Sequence, residues 1–83
     1  MINANEFLKT SDFYLASYLL AKNIPLVKLN KENPQRAVFV FPKNKECLEL
    51  FDEFSQMKAS IEPIAYTSAQ KRLKHLLFLY LKP

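Results

Sequence analysis

Few side chains in this sequence could carry out a reaction. His75 is the single residue that titrates near neutral pH, and it lies among cations in a C-terminal segment with no acid to orient it. Cys47 falls on the apolar side of a predicted helix, where a buried and inert thiol is the usual outcome. One histidine and one cysteine cannot build a zinc site from those ligands, and a chain without glycine has no glycine-rich phosphate loop. We therefore expect no catalytic residue, no metal and no cofactor, and a protein that is not an enzyme.

The charge is unevenly distributed, and the C-terminal segment is basic. The chain has 12 Lys and Arg against 8 Asp and Glu, a formal net charge of +4. All the acids lie within residues 1–62, where an equal number of basic residues balances them. The net charge therefore belongs to residues 63–83. On a helix of 3.6 residues per turn, Phe78 lies opposite an apolar face around Leu73, and basic side chains surround it. The candidate binding residues are Lys71, Arg72, Lys74, His75, Phe78 and Lys82.

This arrangement predicts contact with nucleic acid. Lys and Arg neutralise phosphates, and an exposed ring stacks on an unpaired base. The leading predicted partner is therefore single-stranded nucleic acid. The same residues also fit two structural roles. Cations near a helix C-terminus complement the helix dipole, and Phe78 could pack on the segment around Phe7 and Leu8 or on another subunit. A protein-interaction or homo-oligomerising module, using Phe78 and an exposed apolar strand face, is therefore the alternative.

The elements that position these residues belong to an α+β domain. An N-terminal helix over residues 13–22 is apolar on nearly every side, which predicts that it is buried. It must end near Asn23, because Pro25 cannot continue it. Short alternating runs at residues 24–29 and 37–41 predict an antiparallel β-hairpin with a loop at 30–35. Two amphipathic helices follow, with a possible short third strand at residues 60–62 between them.

The two later helices have local start signals. Asn44 precedes the second helix as its N-cap, and the apolar positions from Cys47 to Met57 recur at three-and-four spacing. Thr67 and Gln70 have the spacing of a capping box, which predicts that the last helix begins there and runs to about Leu81.

The second strand of the hairpin carries apolar residues on both faces. One face should pack on the helices, and the other needs a cover or a partner. Residues 36–41, followed by an amphipathic helix, resemble the aromatic strand and next helix of RNA-recognition modules. The expected glycine is missing, and no convincing strand precedes the first helix. For Phe39 and Phe41 we therefore expect an ordinary place in the core.

Length and composition describe a single domain, residues 1–83, with 49% hydrophobic and 13% aromatic residues. One cysteine cannot form an internal disulfide, which favours a reducing compartment. The N-terminus lacks the basic start and apolar run of a signal peptide, and the longest apolar stretch is much shorter than the ~20 residues of a bilayer span. We expect a soluble, cytoplasmic protein without membrane contact.

Three segments resemble a family of short uncharacterised proteins from bacteria, archaea and their viruses. They are residues 12–26, 38–41 and 69–74, and the resemblance spans most of the chain. The family usually has glycine where Asn23 stands and acids where this chain has Pro42 and Lys43. The resemblance implies no assigned activity. It does suggest that the first helix, the hairpin and the start of the last helix form one recurring unit, often of phage or mobile-element character, which slightly favours nucleic-acid binding or inhibition of a host protein over a metabolic role.

Overall fold

The structure, a computed structural model, describes residues 7–33 and 36–81 and shows an α+β domain. The predicted order of helix, hairpin and two helices is confirmed, with one additional strand before the first helix. The elements are β1 (Phe7–Thr10), α1 (Phe13–Ala21), β2 (Lys28–Asn33), β3 (Arg36–Pro42), α2 (Lys45–Ser55) and α3 (Pro63–Leu81).

The sheet is antiparallel, and its strand order is β1-β3-β2. In the register, Leu8 lies opposite Phe41 on one side of β3, and Leu29 lies opposite Phe39 on the other. The third strand is therefore β1, and residues 60–62, where the sequence left a short third strand possible, form no strand between α2 and α3. A strand of four residues carries little periodicity, and its pairing with β3 decides its conformation.

The hairpin begins later than its apolar pattern predicts. Strand β2 starts at Lys28 instead of residue 24 and continues through polar residues to Asn33, which pairs with Arg36. Most of the predicted loop is thus strand. Before β2, the Val27 N–H donates to the Val40 carbonyl at 2.7 Å. An edge strand accepts polar side chains because the backbone bonds to its neighbour are sufficient to hold it.

Helix α1 begins and ends through local hydrogen bonds. The Asp12 carboxylate accepts the N–H groups of Tyr14 and Leu15 at 2.9 and 3.2 Å. At the other end, Asn23 adopts φ 70°, a left-handed conformation that asparagine tolerates. The Ile24 N–H donates to the Leu19 carbonyl at 3.0 Å, which completes a Schellman motif where the sequence predicts the helix end. Residues 15–19 are buried.

Helix α3 starts one turn before the predicted capping box. Pro63 occupies its first position, where the missing N–H of proline is no loss, and the Glu62 carboxylate accepts the Ala65 N–H at 2.7 Å. Thr67 lies inside the helix, and its hydroxyl donates to the Pro63 carbonyl at 2.9 Å instead of capping. Helix α2 starts as predicted, with the Asn44 side chain accepting the Cys47 N–H at 2.8 Å.

One hydrophobic core joins the inner face of the sheet to all three helices. Its buried residues are Leu15, Ala16, Leu19, Ile24, Leu29, Phe39, Phe41, Cys47 and Leu73. Phe39 and Phe41 thus take the core positions that the sequence predicts. Helix α3 packs mainly on α1. Since every described helix contributes to this one core, none of them covers the other face of the sheet.

Candidate functional site

The basic residues of the last helix lie on its outward face. Lys71, Arg72, Lys74 and His75 are exposed, as is Phe78, whereas Leu73 is buried against the core. These five exposed residues are called the basic α3 face below. Lys82, the sixth predicted binding residue, lies outside the described residues. The predicted amphipathic division of this helix is therefore present over residues 69–79.

Because α3 starts at Pro63, its basic residues lie too far from the helix C-terminus to interact strongly with the helix dipole. Lys71, Arg72 and Lys74 lie near the middle of the helix, and its last turn contains no basic residue. The dipole of a helix acts mainly within its first and last turns, so these three residues gain little from it. No acidic residue is present in α3 to compensate them. The helix dipole and ion pairs within α3 therefore do not account for the positive charge of this face.

Among the described residues, Phe78 does not pack on Phe7 or Leu8, one of the two packing arrangements that the sequence leaves open. Its side chain is 64% exposed, and the neighbouring Leu79 is 52% exposed. Leu8 packs at the edge of the core, and Phe7 lies in β1 on the opposite face of the sheet. A phenyl ring this exposed is available to a base or to an apolar partner.

The basic α3 face continues onto the start of α1. The Nζ atom of Lys74 lies 5.9 Å from the centroid of the Phe13 ring, within the range of a cation–π contact. The rings of Phe13 and Tyr14 meet edge to face at 5.7 Å, and Tyr14 is 60% exposed. Tyr14 is thus a second aromatic side chain at this surface. Sequence reasoning missed it because α1 is apolar on nearly every side, which favoured burial for all its residues.

The remaining candidates for chemistry stay isolated. His75 is exposed, and the described residues contain no group of His, Cys, Asp and Glu that could hold a metal ion. Burial, with a smaller contribution from the charge of Glu46, raises the pKa of the Cys47 thiol. A buried thiol with a raised pKa is a poor nucleophile.

The face of the sheet that points away from the core, called the open face below, is more basic than the apolar residues of β3 predict. Directly opposed residues share a face, so Lys9 of β1 and Lys28 of β2 flank Val40 of β3. Val40 is only 3% exposed, although no described helix lies above it. A depression of about 360 Å³ lies here. It is lined by Phe7, Lys9, Val27, Lys28, Asn30 and Val40.

Among residues 7–33 and 36–81, no helix combines the length and hydropathy that crossing a membrane requires. Comparison with protein families matches residues 5–79 to a family described as a domain of unknown function (DUF5659). No curated protein and no solved structure gave a significant match. The match agrees with the resemblance to an uncharacterised family, and it assigns no function to the chain.

Proposed function

Because the chain belongs to the DUF5659 family, whose function is unknown, we propose a function from its own surface: it is a small, non-enzymatic module that binds single-stranded nucleic acid. Contact is made through the basic α3 face. The observation that carries the proposal is the exposed setting of three cations and Phe78 on a helix without acids.

The cations supply a sequence-independent attraction. Lys71, Arg72 and Lys74 are exposed near the middle of α3, and the Lys74 Nζ atom lies against the Phe13 ring. Each one that neutralises a phosphate releases condensed counterions. His75 adds a further donor, and a charge when it is protonated. This part of the affinity weakens steeply as the salt concentration rises.

The aromatic residues favour a single strand over a duplex. Bases in a duplex are stacked on each other, whereas an unpaired base can stack on Phe78. Such stacking contributes about 1–3 kcal/mol per base. Tyr14 offers a second ring at the same surface, next to the Lys74 side chain and Phe13.

A charge-neutralising double variant tests the proposal. The binding of a short fluorescent oligonucleotide is measured by anisotropy over a series of salt concentrations, for wild type and for Lys71→Gln/Lys74→Gln. Each lost phosphate contact lowers the salt slope of a single strand by about 0.7, so the variant slope should be shallower by about 1.4. The matched control, Lys45→Gln/Lys58→Gln, removes the same charge from exposed positions outside α3.

Phe78→Ala separates stacking from charge. It should weaken binding by the stacking energy, about 1–3 kcal/mol, and leave the salt slope unchanged. An affinity that does not depend on salt, or equal losses in the two lysine pairs, would overturn the proposal.

The second candidate function is a protein-interaction or homo-oligomerising module. It is favoured by the adjacent exposure of Phe78 and Leu79, which together offer an apolar anchor. Light scattering distinguishes the two functions. A salt-resistant assembly that Phe78→Ala/Leu79→Ala dissociates, with no retention of oligonucleotide, would favour this alternative.

A further inference from the structure

The open face of the sheet concentrates positive charge on its three strands. Lys9, Lys28 and Arg36 come from β1, β2 and β3 respectively, and all three are exposed. Strand alternation places Arg36 on the same side of β3 as Val38 and Val40. Its Nε donates to the Ser11 hydroxyl at 3.1 Å, which holds it near the end of β1.

The spacing of the two lysines follows from the register. Both face Val40, one on each neighbouring strand. Adjacent strands lie about 4.8 Å apart, so the two lysine backbones are separated by roughly 10 Å across the sheet. Among the described residues that line the depression between them, none is a carboxylate.

A depression lined by both polar and apolar atoms lies between the cations. Val40 lies in it on the central strand, Phe7 lines it from β1 and Val27 lines it from the residues before β2. Phe7 is 37% exposed and Val27 is 47% exposed, so both present apolar surface to solvent. A cavity of about 360 Å³ is within the usual size range of ligand sites.

We propose that the open sheet face, with Lys9 and Lys28 on either side of the Val40 depression and Phe7 beside it, is a second site for single-stranded nucleic acid. Lys9 and Lys28 bind phosphates, and an unpaired base rests against Phe7 and Val27. The inference rests on the proposed function and adds a surface whose residues are all different from those of the basic α3 face.

Charge complementarity identifies the occupant. An apolar protein partner would leave Lys9 and Lys28 desolvated without counter-charges, which is costly. A flexible anionic strand matches the cations, and its bases can contact the exposed surfaces of Phe7 and Val27. Phe39 and Phe41, the aromatic residues of the central strand, point into the core and take no part. The ring available for stacking is therefore Phe7 on β1.

Three proteins are compared by anisotropy with the same labelled oligonucleotide: wild type, Lys9→Gln/Lys28→Gln, and an α3 variant with Lys71→Gln, Lys74→Gln and Phe78→Ala. Circular dichroism checks that each variant keeps its fold. The sheet-face pair should lower affinity about ten-fold and reduce the salt slope by about 1.4, whereas Lys45→Gln/Lys58→Gln should change both much less. Phe7→Ala should weaken binding about five-fold or more without changing the slope.

Nitrogen-15 NMR with unlabelled oligonucleotide assigns the effect to a surface. We expect shift changes at the amides of Lys9, Lys28 and Val40, which persist when the oligonucleotide is added to the α3 variant. Loss of binding in the α3 variant, with no effect of Lys9→Gln/Lys28→Gln and no shifts on the sheet, would overturn this inference and leave the proposed function standing. Unchanged binding in the α3 variant, with loss of binding in Lys9→Gln/Lys28→Gln, would overturn the proposed function of the basic α3 face and leave this inference standing.

Discussion

The end of α2 stores conformational strain that one substitution should release. Met57 adopts φ 60°, in the left-handed region, where its Cβ crowds the backbone at a cost of about 1–2 kcal/mol. Its side chain is 94% exposed and therefore gains little from packing. Two bonds hold it there: the Lys58 N–H donates to the Glu53 carbonyl at 2.8 Å, and the Met57 N–H donates to the Phe54 carbonyl at 3.1 Å. Glycine at this position keeps both bonds without the strain.

The net effect of Met57→Gly is smaller than the strain it removes. Glycine also gives the unfolded chain more conformational freedom, and this offsets about 0.4–1 kcal/mol of the stability gained by removing the strain. The free energy of unfolding should therefore rise by about 0.8 kcal/mol, the difference between the midpoints of the two ranges. At about 4–8 °C per kcal/mol for a domain of this size, the melting temperature should rise by about 3–6 °C.

Urea unfolding followed by far-ultraviolet circular dichroism measures this change, with a thermal scan as a second reading. Met57→Ala is the matched control, because it removes the same exposed side chain but keeps the Cβ atom; its stability should stay within about 0.5 kcal/mol of wild type. Asn23→Gly, at the equivalent position after α1, should gain less than Met57→Gly since asparagine tolerates the left-handed region. If Met57→Gly is no more stable than Met57→Ala, backbone strain is not what limits this helix end.

Three other features of the fold lead to measurable outcomes. Asp12→Ala removes the acceptor for the Tyr14 and Leu15 N–H groups and should lower the free energy of unfolding by about 1 kcal/mol, measured in urea against Asp12→Asn, which keeps a capping oxygen. Cys47 is fully buried with a raised pKa, so iodoacetamide should modify it only in denaturant; rapid labelling of the native protein, followed by mass spectrometry, would contradict the packing described. Burial also raises the pKa of Tyr18, so the unfolded chain loses this proton first as the pH rises above about 10, and stability should fall there. Tyr18→Phe should make that fall less steep in unfolding titrations between neutral and alkaline pH, and an unchanged slope would refute this assignment.

The sequence by itself determined the features that depend on neighbours along the chain. The N-cap of α2 at Asn44, the end of α1 at Asn23 and the inward position of Cys47 follow from residue types within one or two helical turns. The basic outward side of α3 was readable for the same reason, since a helix repeats its faces every 3.6 residues. The core positions of Phe39 and Phe41 required only the alternation of a strand.

Tertiary structure alone decided which distant segments meet. Strand β1 exists because four residues pair with β3, and that pairing brings Lys9 to the same face of the sheet as Lys28, with Val40 between them, though the two lysines are far apart in the chain. The exposure of Tyr14 depends on where α3 crosses α1, and not on the composition of α1. Backbone pairing between strands depends little on the identity of their side chains, so polar β2 became a strand and its lysine joined a surface that no local pattern indicates.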